Sequence, residues 1–396
     1  MTSQAYDIVV IGGGPAGAMA AWDAARAGHA VLIVDRGGRI KPCGGAIPPR
    51  ALTEFELPES LLAARAHCAR MISPAGRAVD MPIDGYVGMV DREHFDEWLR
   101  ERAAGAGATR CTARFRRLAY QDDGRVVLSL EGADRDLADE IVARCVIGAD
   151  GARSEVARQA IPAARDIPYV AAYHEIVESP APSANPDFDG QRCDVYYQGR
   201  VSPDFYGWIF PHGGQTSVGV GTAVKGFSMR SAVADLRARA GLADGRTIRR
   251  EGAPIPLKTL RRWDDGRAVV LAGDAAGGVA PASGEGIYYA MLSGRLAAEA
   301  AMAYCESGRS RALARARKRF MRAHGRVFWI LGQMQRFWYV SDKRRERFVN
   351  ICRDPDVQHL TWEAYMHKRL VRARPLAHIR IFFKDMGHLL GVVSQK

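Results

Sequence analysis

Gly12, Gly14 and Gly17 stand in the run GGGPAG, between an apolar stretch at residues 6–11 and an alanine-rich stretch at residues 16–27. A GxGxxG at the junction of a buried strand and a helix serves three steric needs. The first glycine permits a tight turn, the second lets the backbone approach a pyrophosphate, and the third lets helix and strand pack closely. The helix start adds amide donors and the positive end of its dipole. Asp35 ends the next apolar strand, at the distance where an acid can accept from ribose hydroxyls. Together these residues describe a dinucleotide site. A carboxylate at 35 would repel the 2′-phosphate of NADP, so the pocket favours FAD or NAD. The neighbouring Arg36 softens that repulsion without reversing it.

Two further strand ends carry an acid beside glycine. CVIGADGARS at 145–154 contains Asp150, and LAGDAAG at 271–277 contains Gly273 and Asp274, followed by GEGI at 284–287. An acid at the carboxyl edge of a strand faces the ligand crevice. A plain NAD dehydrogenase has no need of a second acidic strand end so far along the chain. FAD does, because its ribityl chain and second phosphate require partners of their own. No second strand–GxGxxG–helix unit exists for NADPH, since GAG at 105–107 and GVG at 219–221 lack the context. NADPH would therefore visit a surface groove transiently, or another electron donor replaces it.

Cys43 lies in KPCGGAIPPR, where glycine and proline prevent a continued helix or a central strand. Either the thiol is merely small enough for a tight turn, or it works as a weak proton donor or redox-sensitive group. Tyr206, Trp208 and Phe210 alternate in PDFYGWIFP, so a strand bounded by Pro203 and Pro211 would present all three on one face. That face is either a plain sheet core or the aromatic wall of an apolar tunnel.

The elements that must position these groups form a βαβ beginning, then strands through 111–147 and 169–222 and a buried strand at 268–277. A long helix follows from about 284, and a mostly helical end runs from Arg309. Residues 53–70 read as helix, and residues 91–104 as a helix with acids in its first turn. The expected division is a discontinuous FAD-binding domain at 1–165 and 250–305, a substrate domain at 166–249, and a basic helical region at 306–396.

With 396 residues and ordinary apolar, charged and aromatic fractions, the class is globular. The formal charge of +12 is unevenly spread. Residues 309–396 hold 21 Lys and Arg against 6 Asp and Glu, hence +15, which leaves −3 for the rest. Such asymmetry suggests an anionic bilayer surface or a solvated helical face packed on the core; no nucleic-acid motif accompanies it. The seven cysteines are scattered without CxxC, which argues against disulfides and against a metal site, and a cytoplasmic location is expected. No signal peptide and no apolar span of membrane length is read.

The order of GxGxxG, the Asp-Gly motif and the Gly-Asp motif resembles the para-hydroxybenzoate hydroxylase-like flavoproteins, an α/β fold with a Rossmann-type FAD domain and a β-sheet substrate domain. That resemblance implies that Asp274 binds a ribityl hydroxyl and that the helix starting at Gly286 and Ile287 points its positive end at the flavin N1–C2=O edge. It further implies that Arg92 lies along the cofactor; the plainer reading of Arg92 is an ion pair in the first turn of a helix. KPCGGAIP and PxxYxWxFP, with the C-terminal runs at 356–370 and 373–392, resemble the geranylgeranyl reductases, especially the (bacterio)chlorophyll branch. This resemblance implies an FAD-dependent reductase that saturates three isolated double bonds of a geranylgeranyl chain, with NADPH-derived electrons. The substrate is either geranylgeranyl diphosphate or the tail already esterified to bacteriochlorophyllide, and the place is the cytoplasmic face of the photosynthetic membrane. Gly44 and Gly45 would let the backbone approach the isoalloxazine, and Cys43, Tyr206 or an ordered water would supply the proton. The rivals are a monooxygenase of the same fold, which would consume oxygen, and a non-catalytic pigment carrier, whose flavin no donor would reduce.

Overall fold

The computed structural model describes residues 5–38, 40–133, 140–181, 185 and 187–368. They fall into two units. The first holds residues 1–45, 90–171 and 252–332, and the second holds 46–89, 172–251 and 333 onward. The expected C-terminal region is therefore shared: its first part groups with the first unit and the remainder with the second. The C-terminal run at 373–392 lies outside the described residues.

The first unit is built on a seven-stranded sheet. The strands Thr109–Thr112, Val31–Asp35, Ala5–Ile11, Glu140–Gly148 and Val269–Leu271 pair in parallel in that order. Strands Val126–Glu131 and Arg114–Tyr120 extend the sheet antiparallel. Ile8, Val9, Val10, Leu32, Val146 and Val270 are fully buried, as expected for a strand covered on both faces. Register does the functional work. Ile11 pairs with Val34 and with Gly148, and Gly148 pairs with Leu271. Four strand ends finish level, so Gly12, Asp35, Asp150 and Asp274 emerge at one carboxyl edge.

Helix Pro15–Arg26 packs on this edge against the long helix Ile287–Ser307. The approach requires glycine: a Cβ at Gly294 would meet the Ala16 carbonyl oxygen at 2.1 Å. The first part of the basic helix Ala314–Trp338 buries Ala316, Phe320, Val327 and Phe328. Phe320 packs on Trp263 and Tyr289 at ring separations of 5.0 and 5.9 Å. For these residues the core-packing alternative is the one realised.

The second unit carries an eight-stranded sheet. One face is covered by helix Met229–Arg239, whose Ala232, Val233 and Leu236 meet Tyr173, Val177, Ile209, Val218 and Val220. Neighbouring residues point the other way, so His174, Trp208, Ser217 and Gly219 share the opposite face. Residues 53–70 depart from expectation. The α-helix Pro49–Glu54 ends early, a single 3-10 turn follows at Glu59–Leu61, and Leu62–Ile72 is a strand paired in parallel with Arg192–Tyr196. Ala64, Ala66 and Cys68 turn inward while Arg65 and His67 face solvent. That two-residue alternation suits a sheet with one covered face, and pairing overrides propensity. Pro211, expected to bound its strand, lies inside Gly207–His212 opposite Thr216.

A charged cluster fastens helix to sheet in this unit. Glu175 accepts from the Tyr173 hydroxyl at 2.8 Å and from Arg237 at 2.6 Å, and Arg237 also donates to the Gly245 carbonyl at 2.6 Å. Burial pushes the Glu175 carboxyl up, but Tyr173 and the arginines outweigh it and hold it below its usual 4.5. A depressed folded-state value stabilises the protein above the unfolded value and loses that contribution as pH falls through the folded one. Glu175→Gln is therefore expected to flatten the acid limb of stability. Urea midpoints compared from neutral pH to about pH 3 check this.

Candidate active site

The glycine loop has the geometry its spacing implied. Gly12 takes φ +107°, and a Cβ there would lie 2.4 Å from the Ala149 carbonyl oxygen. A Cβ at Gly17 would lie 1.8 Å from the Gly12 oxygen. Gly14 differs: a Cβ there meets nothing within 4 Å, so the space beside it is open to a ligand. The helices that begin after Gly14 and after Gly286 have no side-chain cap and no acid in their first turn. Their leading amides keep donors for a phosphate or a carbonyl oxygen. Open space at Gly14, uncapped helix starts and acids at one strand edge fit an extended dinucleotide cofactor.

The acids differ in what they hold. Asp35 accepts from the Gly13 amide at 2.7 Å and the Gly37 amide at 3.0 Å, with Arg36 exposed beside it. Asp274 is buried and paired with Lys41 at 2.5 Å, and its carboxylate oxygen lies 3.9 Å from where a Gly286 Cβ would stand. The amide of Gly273 donates to Ser293 at 2.9 Å, which ties the turn to the long helix that starts at Ile287. Asp150, at the same edge, is bonded within the chain. Its oxygens accept from the Ser154 hydroxyl at 2.5 Å and from the amides of Glu155 at 2.6 Å and Val156 at 3.2 Å. Burial pushes its carboxyl up against these bonds, and the carboxylate fastens the next helix.

Cys43 and Arg92, read separately in the sequence, come together. The Cys43 sulfur accepts from the Gly45 amide at 3.4 Å, closing the turn on itself, and Gly45 takes φ +76°. The Gly45 carbonyl in turn accepts from the Val90 amide at 2.9 Å, and Gly44 is half-buried within the turn. Arg92 is buried and makes two bonds to Asp96, at 2.7 and 2.6 Å. Burial alone would weaken its charge, but Asp96 and then the Cys43 sulfur, within hydrogen-bonding reach, raise its pKa instead. The ion-pair reading of Arg92 and the site reading thus hold of the same side chain.

In the second unit Tyr206, Trp208 and Phe210 follow one another along the sheet, with ring separations of 6.1 and 6.4 Å. Tyr206 stacks on Phe205 at 4.3 Å. Phe210 joins a cluster with Met89, Cys193, Met366, Trp362 and Tyr365, so helix Pro355–Met366 continues the aromatic surface. Arg345 is buried and donates to the carbonyl of Pro203, anchoring the loop that leads into PDFYGWIFP.

An FAD dependent oxidoreductase model matches residues 7–61. Geranylgeranyl diphosphate reductase of Rhodobacter capsulatus is 55% identical over 98% of this chain and 98% of its own. The chain belongs to the geranylgeranyl reductase family. Among solved structures, a geranylgeranyl bacteriochlorophyll reductase-like protein of Thermoplasma acidophilum superposes with TM-score 0.79 at 22% identity, over 95% of this chain and 100% of that one. The p-nitrophenol 4-monooxygenase PnpA of Pseudomonas putida DLL-E4 matches with TM-score 0.69 at 16% identity, over 93% and 100%. The reductase therefore has the para-hydroxybenzoate hydroxylase-like fold, and it is an FAD-dependent oxidoreductase. Monooxygenases share the fold, so fold alone does not choose the chemistry.

Sequence reading missed Lys41 and Asp96 at this site. Lys41 stood inside the quoted turn, but its partner lies 233 residues away. Asp96 is four residues from Arg92, a helical i,i+4 pair that the spacing contains. Among the described residues no cluster of His, Cys, Asp and Glu could hold a metal ion.

Proposed function

We propose that this protein saturates the isolated double bonds of a geranylgeranyl chain, carried as the diphosphate or as the ester of bacteriochlorophyllide, with NADPH as electron donor. The observation that carries the reading is the near full-length identity to a geranylgeranyl diphosphate reductase, joined to a glycine loop shaped for a dinucleotide. Gly12, Gly14, Gly17, Asp35, Asp274 and the amides at Gly286 and Ile287 would hold FAD, which supplies hydride when bound. An isoprenoid tail offers only carbon to recognise. The strip of Tyr206, Trp208 and Phe210 answers that with aromatic area, and Trp362 and Tyr365 lengthen it. An isolated alkene has no carbonyl to absorb charge, so its reduction needs a positioned acid in a dry place. Cys43 is the acid we favour, because the Gly45 amide and Arg92 fix its sulfur. Arg92 and Asp96 are positioning residues for that thiol.

The test is anaerobic. NADPH should bleach the flavin of FAD-loaded protein, and geranylgeranyl diphosphate should then restore the oxidised spectrum without oxygen. A spectrum that recovers only when air enters would reject the reductase reading in favour of a monooxygenase.

We further propose contact with an anionic bilayer. No helix among the described residues is long and apolar enough to cross a membrane. Helix Ala314–Trp338 contains no acidic residue, and Arg322, Arg326, Trp329 and Ile330 are exposed at helical spacing on one face, Trp329 at 67%. Arginine with exposed tryptophan suits a headgroup boundary. Trp329→Ser with Ile330→Ser should reduce flotation with phosphatidylglycerol vesicles, and undiminished flotation would remove this helix from the account.

A further inference from the structure

Behind the aromatic strip runs a buried relay that joins four residues from four strands. The Trp208 indole nitrogen lies 3.0 Å from the Ser217 hydroxyl, Ser217 lies 2.9 Å from His174 Nδ1, and His174 Nε2 lies 2.9 Å from the Glu251 carboxylate. An indole N–H only donates and an ionised carboxylate only accepts. Ser217 therefore accepts from Trp208; with His174 as a neutral imidazole donating from Nε2 to Glu251, the remaining lone pair on Nδ1 accepts the Ser217 proton. The chain runs in one direction, Trp208 to Ser217 to His174 to Glu251, and every polar atom in it is satisfied. Arg249 steadies the far end, 3.4 Å from Glu251.

Sterics reinforce this orientation. A Cβ at Gly219 would come within 2.2 Å of Trp208 Cζ2 and 2.6 Å of His174 Cβ, so the indole lies in the gap that glycine leaves. Ser217 has no exposed surface and its oxygen is covered by the Trp208 indole, so although its bond to His174 is the one an activated serine makes, no substrate reaches the hydroxyl in this arrangement. The relay can instead hold a ring still.

We propose that Ser217, His174 and Glu251 are positioning residues that fix the Trp208 indole and thereby set how completely the isoprenoid tail is saturated. The proposal rests on the reading that Trp208 lines the path of the tail. The double bonds of the tail are chemically alike and differ only in position along it. Each saturation adds freely rotating bonds, so each later substrate loses more conformational entropy when it is held straight. A rigid wall matters least for the first reduction and most for the last. Loosening the indole should spare the first step and starve the later ones.

The experiment uses the full FAD-loaded chain, with the indole nitrogens labelled by 15N-tryptophan and the Trp208 signal assigned through Trp208→Phe. Ser217→Ala and Glu251→Ala should each shift or broaden that signal. With geranylgeranyl diphosphate under anaerobic reduction, the ratio of fully to partly saturated product should fall about tenfold, while the rate of the first reduction changes less than about threefold. Glu251→Gln, which still accepts from Nε2, should restore the wild-type signal and product ratio. An unmoved Trp208 signal in both alanine variants overturns the relay. A moved signal with an unchanged product ratio overturns its role in tail saturation. If Ser217→Ala fails to fold, the comparison of Glu251→Ala with Glu251→Gln decides alone, since Glu251 lies at the less buried end. A wild-type protein that saturates nothing fails the parent reading, and the indole signals still report on the relay separately.

Discussion

Gly17→Ala is expected to yield protein that cannot retain flavin, whereas Gly14→Ala folds as the native chain does and binds flavin poorly. The two glycines belong to one motif but meet different obstacles. A Cβ at 17 strikes the backbone carbonyl oxygen of Gly12 at 1.8 Å, where the first helix packs on the first strand and no flexible side chain can give way. The helix must move away, at a cost of about 1–3 kcal/mol or more, and it takes the phosphate-binding amides with it. A Cβ at 14 touches no protein atom within 4 Å, and Gly14 already has an extended φ of −74° that alanine accepts. Its effect on the apoprotein should be limited to about 1 kcal/mol, the difference between glycine and alanine at a helix N-cap. Any larger loss must come from the ligand that fills the space. Thermal unfolding of the apoproteins, with FAD titration followed by flavin fluorescence, separates the two. Gly14→Ala protein with native FAD affinity would move the pyrophosphate away from this loop.

Arg92→Ala is expected to damage stability and turnover together, through different partners. Asp96 would keep a buried charge without its guanidinium, a situation that destabilises proteins by about 3–5 kcal/mol. The Cys43 sulfur would lose its cationic neighbour, and misplacing a reacting group by about 1 Å can slow a reaction on the order of 100-fold. A double variant distinguishes these effects. Arg92→Met with Asp96→Leu replaces the ion pair by apolar groups, an exchange that is often neutral for stability. It should recover most of the unfolding free energy and little of the turnover. Recovery of both would reduce Arg92 to a structural ion pair and remove it from the Cys43 site.

The cofactor end of this protein was legible because its constraints are local. A tight turn, a close helix and an acid at a strand end each leave a mark within a few residues, and Gly12, Gly17 and Asp35 carry those marks in the open. Asp274 was legible as a strand-end acid for the same reason, and parallel register explains why it lies level with Gly12 and Asp35, far earlier in the chain. Asp150 has a role the sequence did not announce, because an acid after a strand can also fasten the next helix, and the positions of Ser154 and the Glu155 amide show that it does so. The helix expected over 53–70 gives way to a strand from Leu62 because the pairing offered by Arg192–Tyr196 overrides local propensity. The relay behind Trp208 was out of reach. Its members come from four strands, and neither His174 nor Ser217 stands in a motif. The basic C-terminal region was legible as charge but not as packing. Phe320 and Phe328 turn inward and Trp329 outward, a distinction that needs the helix's neighbours.

Stepwise saturation of an isoprenoid tail shows most plainly in the mass of the product. FAD-loaded protein, NADPH and geranylgeranylated bacteriochlorophyll or geranylgeranyl diphosphate would be incubated without oxygen and the tail weighed over time. Successive gains of two, four and six hydrogens, in that order, are expected on at least one of the two substrates. A tail whose mass never changes on either, with substrate-dependent oxygen consumption once air is admitted, would contradict stepwise saturation.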